Sequence, residues 1–296
     1  MDEAWRGAFA PEAAWPAPAK LNLFLHVLGR RADGYHRLQT IFQFLDYGDS
    51  LGFEPRADTR LRRVAGLQTI DDDDDLVIRA ARLLQREAGY QGGVDIHLHK
   101  RLPVGAGLGG GSSDAATTLV ALNRLWQLDW PLERLAALGM QLGADVPVFV
   151  QGRAAWAEGV GEILTPVDLL EPCYLVITPA CQVATAEIFN APDLKRDSPP
   201  IRMPQFLAGM TRNDCWPVVR ERYPQVAQAF DFIAQYAEAR LTGTGASVFA
   251  AFPDRDAARA AQSKVPAGWA AFVAQGLNSS PLLARAGQAA GPITGA

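Results

Sequence analysis

Apolar positions along the chain recur with two periods. Val94, Ile96 and Leu98 alternate with Asp95, His97 and His99, the two-residue period of a half-buried strand. Over 76–84 the apolar residues repeat at helical spacing behind Asp71-Asp72-Asp73-Asp74-Asp75, a run suited to capping and to the helix dipole. The spacing predicts a helix over 113–126, with Leu119, Leu122 and Leu125 as its core stripe, and a shorter one over 132–142 that stops at Gly143. Strands are predicted over 20–28, between Pro18 and Gly29, and over the apolar, aromatic 38–46. A break at Gly48-Asp49 then precedes a strand through Phe53. Residues 29–36 are charged and hold the turn signal Asp33-Gly34. Residues 146–149 read as an apolar strand, and 154–158 and 162–167 as short strands.

The composition shifts over 166–172, which divides the chain into 1–168 and 169–296. The second part opens on a core strand, Tyr174-Leu175-Val176-Ile177. A loop over 199–204, a mainly helical 218–239, a strand over 247–252, a helix over 257–264 and a strand over 269–273 follow. Strands mixed with helices in both parts predict two α+β domains, the C-terminal one the smaller. The first fifteen residues and the tail from Gly287 are expected to be loosely ordered.

At 49% hydrophobic and 20% charged, 296 residues can bury a sizeable core. A net charge of −4 argues against a nucleic-acid binder, leaving only local basic pairs at Arg30-Arg31 and Lys100-Arg101. Three cysteines fit neither a zinc pattern nor a disulfide framework and read as reduced thiols. No apolar stretch reaches 18 residues, and the acidic N-terminus lacks the apolar core of a signal peptide. A cytoplasmic protein without membrane partners is expected.

Candidate chemistry concentrates in Pro103-Val104-Gly105-Ala106-Gly107-Leu108-Gly109-Gly110-Gly111-Ser112-Ser113-Asp114-Ala115-Ala116. Glycines lack a Cβ that would hold a ligand off the backbone, and the following helix offers unpaired N–H groups with partial positive charge. Between a strand and a helix, this is a polyphosphate cradle rather than a linker. A Walker A loop is excluded, because no Gly-Lys pair occurs in the chain. Gly105, Gly107 and Gly110 satisfy a dinucleotide fingerprint, but too far into the chain and with Asp129 in a turn. The protein-kinase signatures are absent.

Two further residues stand out by context. Asp145, within Gly143-Ala144-Asp145-Val146-Pro147, is either a half-buried functional acid or a turn acid satisfied by backbone N–H groups. Lys20, after Pro18-Ala19 in an apolar strand, reads as an ordinary outward lysine unless it meets a carboxylate. The five-aspartate run and the His97/His99 pair admit metal readings, but capping and a solvated strand face explain them more simply.

The glycine motif resembles the phosphate loop of the GHMP kinases, and two more signatures of that family follow its order. They are Ala17-Pro18-Ala19-Lys20-Leu21-Asn22-Leu23 and the second glycine turn Leu241-Thr242-Gly243-Thr244-Gly245-Ala246. The similarity runs from about Trp15 to Leu282 and is weakest in the middle of the second half. Asp33-Gly34-Tyr35-His36 resembles one branch of the family, which phosphorylates a cytidyl-diphosphate sugar alcohol in non-mevalonate isoprenoid synthesis. The resemblance implies a two-domain GHMP-kinase fold, with ATP and Mg²⁺ as cofactors. It implies Lys20 and Asp145 as the catalytic pair and Pro103 to Ser113 as the ATP-phosphate loop. It implies Tyr35 and Phe189 sandwiching the cytosine, with His36 hydrogen-bonded to it and Asn22 as a polar substrate contact. No acid is assigned to Mg²⁺, for which Ser112, Ser113 or water would serve. Asp75 departs from the family, which often has Asn beside the adenine.

Overall fold

The computed structural model describes residues 13–65, 71 and 73–288. Its spine is a 21-residue strand, β2 (His36–Arg56), pairing antiparallel along its length with β1 (Trp15–Arg30), β4 (Gly93–His99), β5 (Ala155–Glu158) and β10 (Ala270–Leu277). β3 (Leu61–Ala65) adds in parallel to β4, and β6 (Ile163–Pro166) pairs with β5. Beyond β10 the sheet continues through β7 (Cys173–Thr178), β9 (Val248–Phe252) and β8 (Arg240–Leu241), so one sheet passes through both halves of the chain. The mixed α+β architecture expected from sequence is the one observed.

Ten helices among the described residues cover the sheet. α1 (Leu76–Ala88) is capped by Asp75, which accepts from Val77 N at 2.8 Å, and ends at Gly89 in the left-handed conformation. α2 (Gly110–Leu125) begins inside the glycine motif, three residues earlier than expected. Beyond its first turn, from Ser113 to Asn123, it is buried between α1 and strands β1 and β2. Leu119 and Leu122 are buried, but Leu125, expected in the same stripe, is exposed. α3 (Leu132–Gly139) follows. α4 (Val146–Gln151) replaces the strand expected over 146–149. Pro147 in its first turn and left-handed Gly152 at its end favour a short helix, and its apolar residues fill the space beside α2 and α3.

The second half holds α5 (Thr185–Asn190), α6 (Met203–Leu207), α7 (Trp216–Arg222), α8 (Pro224–Ile233), α9 (Arg255–Gln262) and α10 (Pro281–Gln288). The expected helix over 218–239 is broken at Tyr223 (φ −124°, ψ 80°), since the residue before a proline is driven out of the α region. α6 starts within the expected loop, and α10 carries Gly287. Trp15 opens β1 and is buried, so that end of the expected loose extension is ordered; 1–12 and 289–296 lie outside the described residues.

Three apolar clusters hold the layers. One packs α1 and α2 on β2 and β4, and a second packs α7, α8 and α9 on β7 and β9. The third joins the halves: Leu21 and Phe24 of β1 meet Leu108 of the glycine loop and Tyr174, Phe249 and Ala274 of the distal strands.

The expected break at Gly48 is instead continuous strand. The Ala17–Pro18 backbone crosses so closely that a Cβ at Gly48 would overlap it. Gly48→Ala is therefore expected to lower stability by about 2–4 kcal/mol, through displacement of β1 from β2. The urea midpoint measures it; an unchanged midpoint would mean that β1 yields freely.

Candidate active site

The loop over 103–109 leads from β4 into α2. Gly105, Gly107 and Gly109 all have positive φ, of 67°, 76° and 73°. At Gly107 a Cβ would overlap the Thr242 carbonyl and lie 2.9 Å from Gly245 O. At Gly109 it would press on the Phe149 ring and lie 3.1 Å from Lys20 Cε. The second glycine turn therefore braces the first. Thr242 Oγ1 donates to Gly107 O at 3.1 Å, Ser247 N to Ala106 O at 3.1 Å, and Lys20 N to Leu108 O at 3.0 Å. Gly110 and Gly111 form the first turn of α2 and line the cavity there, a ready anion site.

That cavity, about 850 Å³, brings together most of the residues singled out from sequence: Lys20, Asn22, Tyr35, His36, Asp145, Phe189 and the loop from Pro103 to Ser112. Leu108 and Ser113 are the exceptions. Leu108 is buried in the joining cluster and Ser113 is fully buried behind the lining.

At the cavity wall Lys20 Nζ lies 3.3 Å from Asp145 Oδ2 and donates to Asn22 Oδ1 at 2.5 Å. The lysine side chain is 4% exposed and the aspartate 34%. Asp145 stands at the N-terminus of α4 without capping it, so its carboxylate is given to Lys20 and the cavity rather than to the helix. Asn22 is itself held by Thr40 Oγ1 and by Thr242 Oγ1, which fixes Lys20 from behind.

One end of the cavity is a turn with two rings. Gly34 at φ 88° and the Arg31 N to Tyr35 O bond of 2.7 Å close the turn, leaving Tyr35 64% exposed at the rim. His36 is buried, and Phe189 on α5 stacks on it with centroids 5.2 Å apart. Phe189 thus packs on His36 beside the exposed Tyr35. Burial, then Arg196 and Arg30, hold the His36 pKa below the ordinary histidine value.

The other end is formed by Leu76, Leu98, Val104, Lys100 and an ion pair of Arg63 with Asp75, both buried. Sequence reasoning passed over three groups here. Lys100 Nζ bridges Asp49 Oδ2 at 2.5 Å and Asp114 Oδ2 at 2.7 Å, directly behind the first turn of α2. Its signal was an aspartate in each of two apolar contexts, Asp49 in β2 and Asp114 in α2. Burial opposes the charge on Lys100, but the two carboxylates outweigh it and raise its pKa. Burial pushes Asp114 up to about 7, against the attraction of Lys100.

Among the described residues no group of three or more His, Cys, Asp or Glu could hold a metal. His97 instead lies 3.6 Å from Glu54, and Asp75 serves as a cap; Asp72 is outside the described residues. No helix among the described residues is long and apolar enough to cross a membrane.

Phosphoryl transfer to a small molecule needs a phosphate cradle with a cation and a carboxylate beside it, and this cleft holds a glycine loop next to a lysine–carboxylate pair. The GHMP kinases N terminal domain matches residues 75–153 and the GHMP kinases C terminal domain residues 193–271. A 4-diphosphocytidyl-2-C-methyl-D-erythritol kinase of Pseudomonas paraeruginosa is 58% identical over 90% of this chain and 95% of its own length. The enzyme of that name from Halorhodospira halophila is 55% identical over 91% and 95%. The crystal structure of a 4-(cytidine 5'-diphospho)-2C-methyl-D-erythritol kinase superposes with a TM-score of 0.78 at 34% identity, over 89% of this chain and 98% of that one. The chain belongs to the GHMP kinase family and is a phosphotransferase.

The Lys100 cluster makes a pH-dependent prediction. Asp114 keeps its proton to about pH 7 when folded but releases it near the ordinary carboxylate value when unfolded. The folded state binds more protons across that window, so this carboxyl lowers stability as pH rises through it. Lys100 limits the loss. Lys100→Met should cost about 3–5 kcal/mol at pH 8, and less at pH 6, where Asp114 is protonated and neutral. Urea unfolding at the two pH values checks this; an equal cost at both would contradict it.

Proposed function

We propose that the protein transfers the γ-phosphate of ATP to the 2-hydroxyl of 4-diphosphocytidyl-2-C-methyl-D-erythritol, a step of non-mevalonate isoprenoid synthesis. The observation that carries this reading is the Lys20–Asp145 pair at 3.3 Å, lying in one cavity with the glycine loop and the Tyr35–His36–Phe189 corner. High identity to enzymes of that name over nearly their whole length supports the substrate.

Each part has a role that its surroundings suit. N–H groups of the loop and the first turn of α2 receive the ATP phosphates. Asp145 takes the proton of the 2-hydroxyl as its oxygen bonds to the γ-phosphorus, and the bond from that phosphorus to the β–γ bridging oxygen breaks to release ADP. Lys20, 3.3 Å from Asp145, holds that carboxylate in place and offsets charge on the transferred group. The Leu76–Leu98–Val104 end takes the adenine, and Tyr35, His36 and Phe189 take the cytosine, for which aromatic faces are suited.

Mg²⁺ binds mainly through nucleotide phosphates and water, so it needs no dedicated cage of protein ligands. Ser112 lines the cavity beside the Gly143–Asp145 turn and would supply a hydroxyl to it. When bound, the ion neutralises phosphate charge.

An ADP-release assay with ATP, Mg²⁺ and the cytidyl substrate tests the reading. Turnover should require that substrate and fall about 10²–10⁴-fold in Asp145→Asn. No substrate-dependent turnover from folded, ATP-binding protein would overturn the substrate assignment, and undiminished turnover in the variant would remove Asp145 as the base. Tyr35→Ala should weaken the cytidyl substrate by about 1–3 kcal/mol and leave ATP affinity unchanged, as read by calorimetry. Equal loss for both ligands would mean that the cytosine corner is misplaced.

A further inference from the structure

We infer that Arg196 is a positioning residue: it fixes which ring nitrogen of His36 carries the proton, and thereby selects cytosine over uracil. The inference rests on the cytidyl substrate proposed above.

Arg196 Nε donates to His36 Nε2 at 3.0 Å. A guanidinium has donors only and stays charged, so the Nε2 it meets must present a lone pair. In the neutral ring the single proton is then on Nδ1, the other polar atom of a side chain that lines the cavity. Burial first, and then the same cation, disfavours a second proton on the ring.

The rest of the guanidinium is fixed independently. Its two NH₂ groups donate to Phe189 O at 2.8 Å, Ala191 O at 2.7 Å and Leu194 O at 3.1 Å. These carbonyls belong to the segment that carries Phe189, whose ring stacks on His36. Arg196 therefore locks the imidazole and its stacking partner as one unit. The carbonyls alone would anchor the arginine; its further bond to His36 is the one that dictates hydrogen-bonding sense.

Cytosine and uracil differ at ring position 3. Cytosine N3 accepts, whereas uracil N3–H donates. A fixed Nδ1–H donates to the first and opposes the second, and a site built to pair one polar group rejects the analogue that leaves it unpaired. Without Arg196 the ring is free to take the Nε2–H form, whose Nδ1 accepts from uracil N3–H.

The chain has four histidines, so the His36 imidazole is assigned in a ¹⁵N spectrum by comparison with His36→Asn. Wild-type protein at pH 7.5 should show a protonated Nδ1 and a bare Nε2. A protonated Nε2 overturns the inference, whatever any variant does. In parallel, kcat/KM is compared for the cytidyl substrate and its uridyl analogue. Arg196→Met, verified as folded by circular dichroism, should lose at least about tenfold of the cytidyl preference, mostly in KM. Wild type that prefers the cytidyl substrate, with Arg196→Met keeping that preference, would defeat the role of Arg196 alone. Wild type that turns over neither compound would defeat the proposed substrate, and this inference with it.

Discussion

No side chain fits between the glycine loop over 103–109 and the turn over 242–245. The two backbones meet directly, with Gly107 against the carbonyls of Thr242 and Gly245, and hydrogen bonds from Thr242 and Ser247 close the contact. The loop is tied on its other side to Lys20 N, so the loop, β1 and the second glycine turn form one rigid piece drawn from three distant parts of the chain. Thr242 also accepts from Asn22 N, and Asn22 in turn receives Lys20 Nζ. The position of the site's lysine is thus a consequence of how closely glycine lets these backbones approach.

Two lysines stand near the loop, and burial separates their tasks. Lys100 lies between Asp49 and Asp114, carboxylates almost wholly inaccessible to a ligand. That cluster neutralises charge beneath the first turn of α2 and holds β2, β4 and α2 together. Lys20 faces Asp145, whose carboxylate is one-third exposed and uncommitted to its helix. Only the second pair combines charge, access and proximity to the loop, as the proposed proton removal requires.

Much of this was legible in the chain. The glycine motif, the strand carrying Lys20 and Asn22, and the alternation of Val94, Ile96 and Leu98 reappear where local pattern put them. What was not legible depends on tertiary contact. Gly48 reads as a turn residue, yet it sits mid-strand because another backbone crosses it. Residues 146–149 are as apolar as a strand, but Pro147 and the space beside α2 make them a helix. Leu125 follows the period of Leu119 and Leu122, but the stripe runs out of partners before it. In the site, the local surroundings of Lys20 and Asp145 left each with two readings, and 125 residues of sequence separate them. Arg196 carried no local signal, because its importance lies in a histidine far away in the chain.

A crystal structure with a non-hydrolysable ATP analogue, Mg²⁺ and the cytidyl substrate tests the central claim most directly. The account predicts phosphates over Gly105 to Ser112 and the substrate 2-hydroxyl within hydrogen-bond reach of Asp145, with cytosine against Tyr35, His36 and Phe189. Phosphates bound away from that loop, or a hydroxyl out of reach of both Lys20 and Asp145, would contradict it.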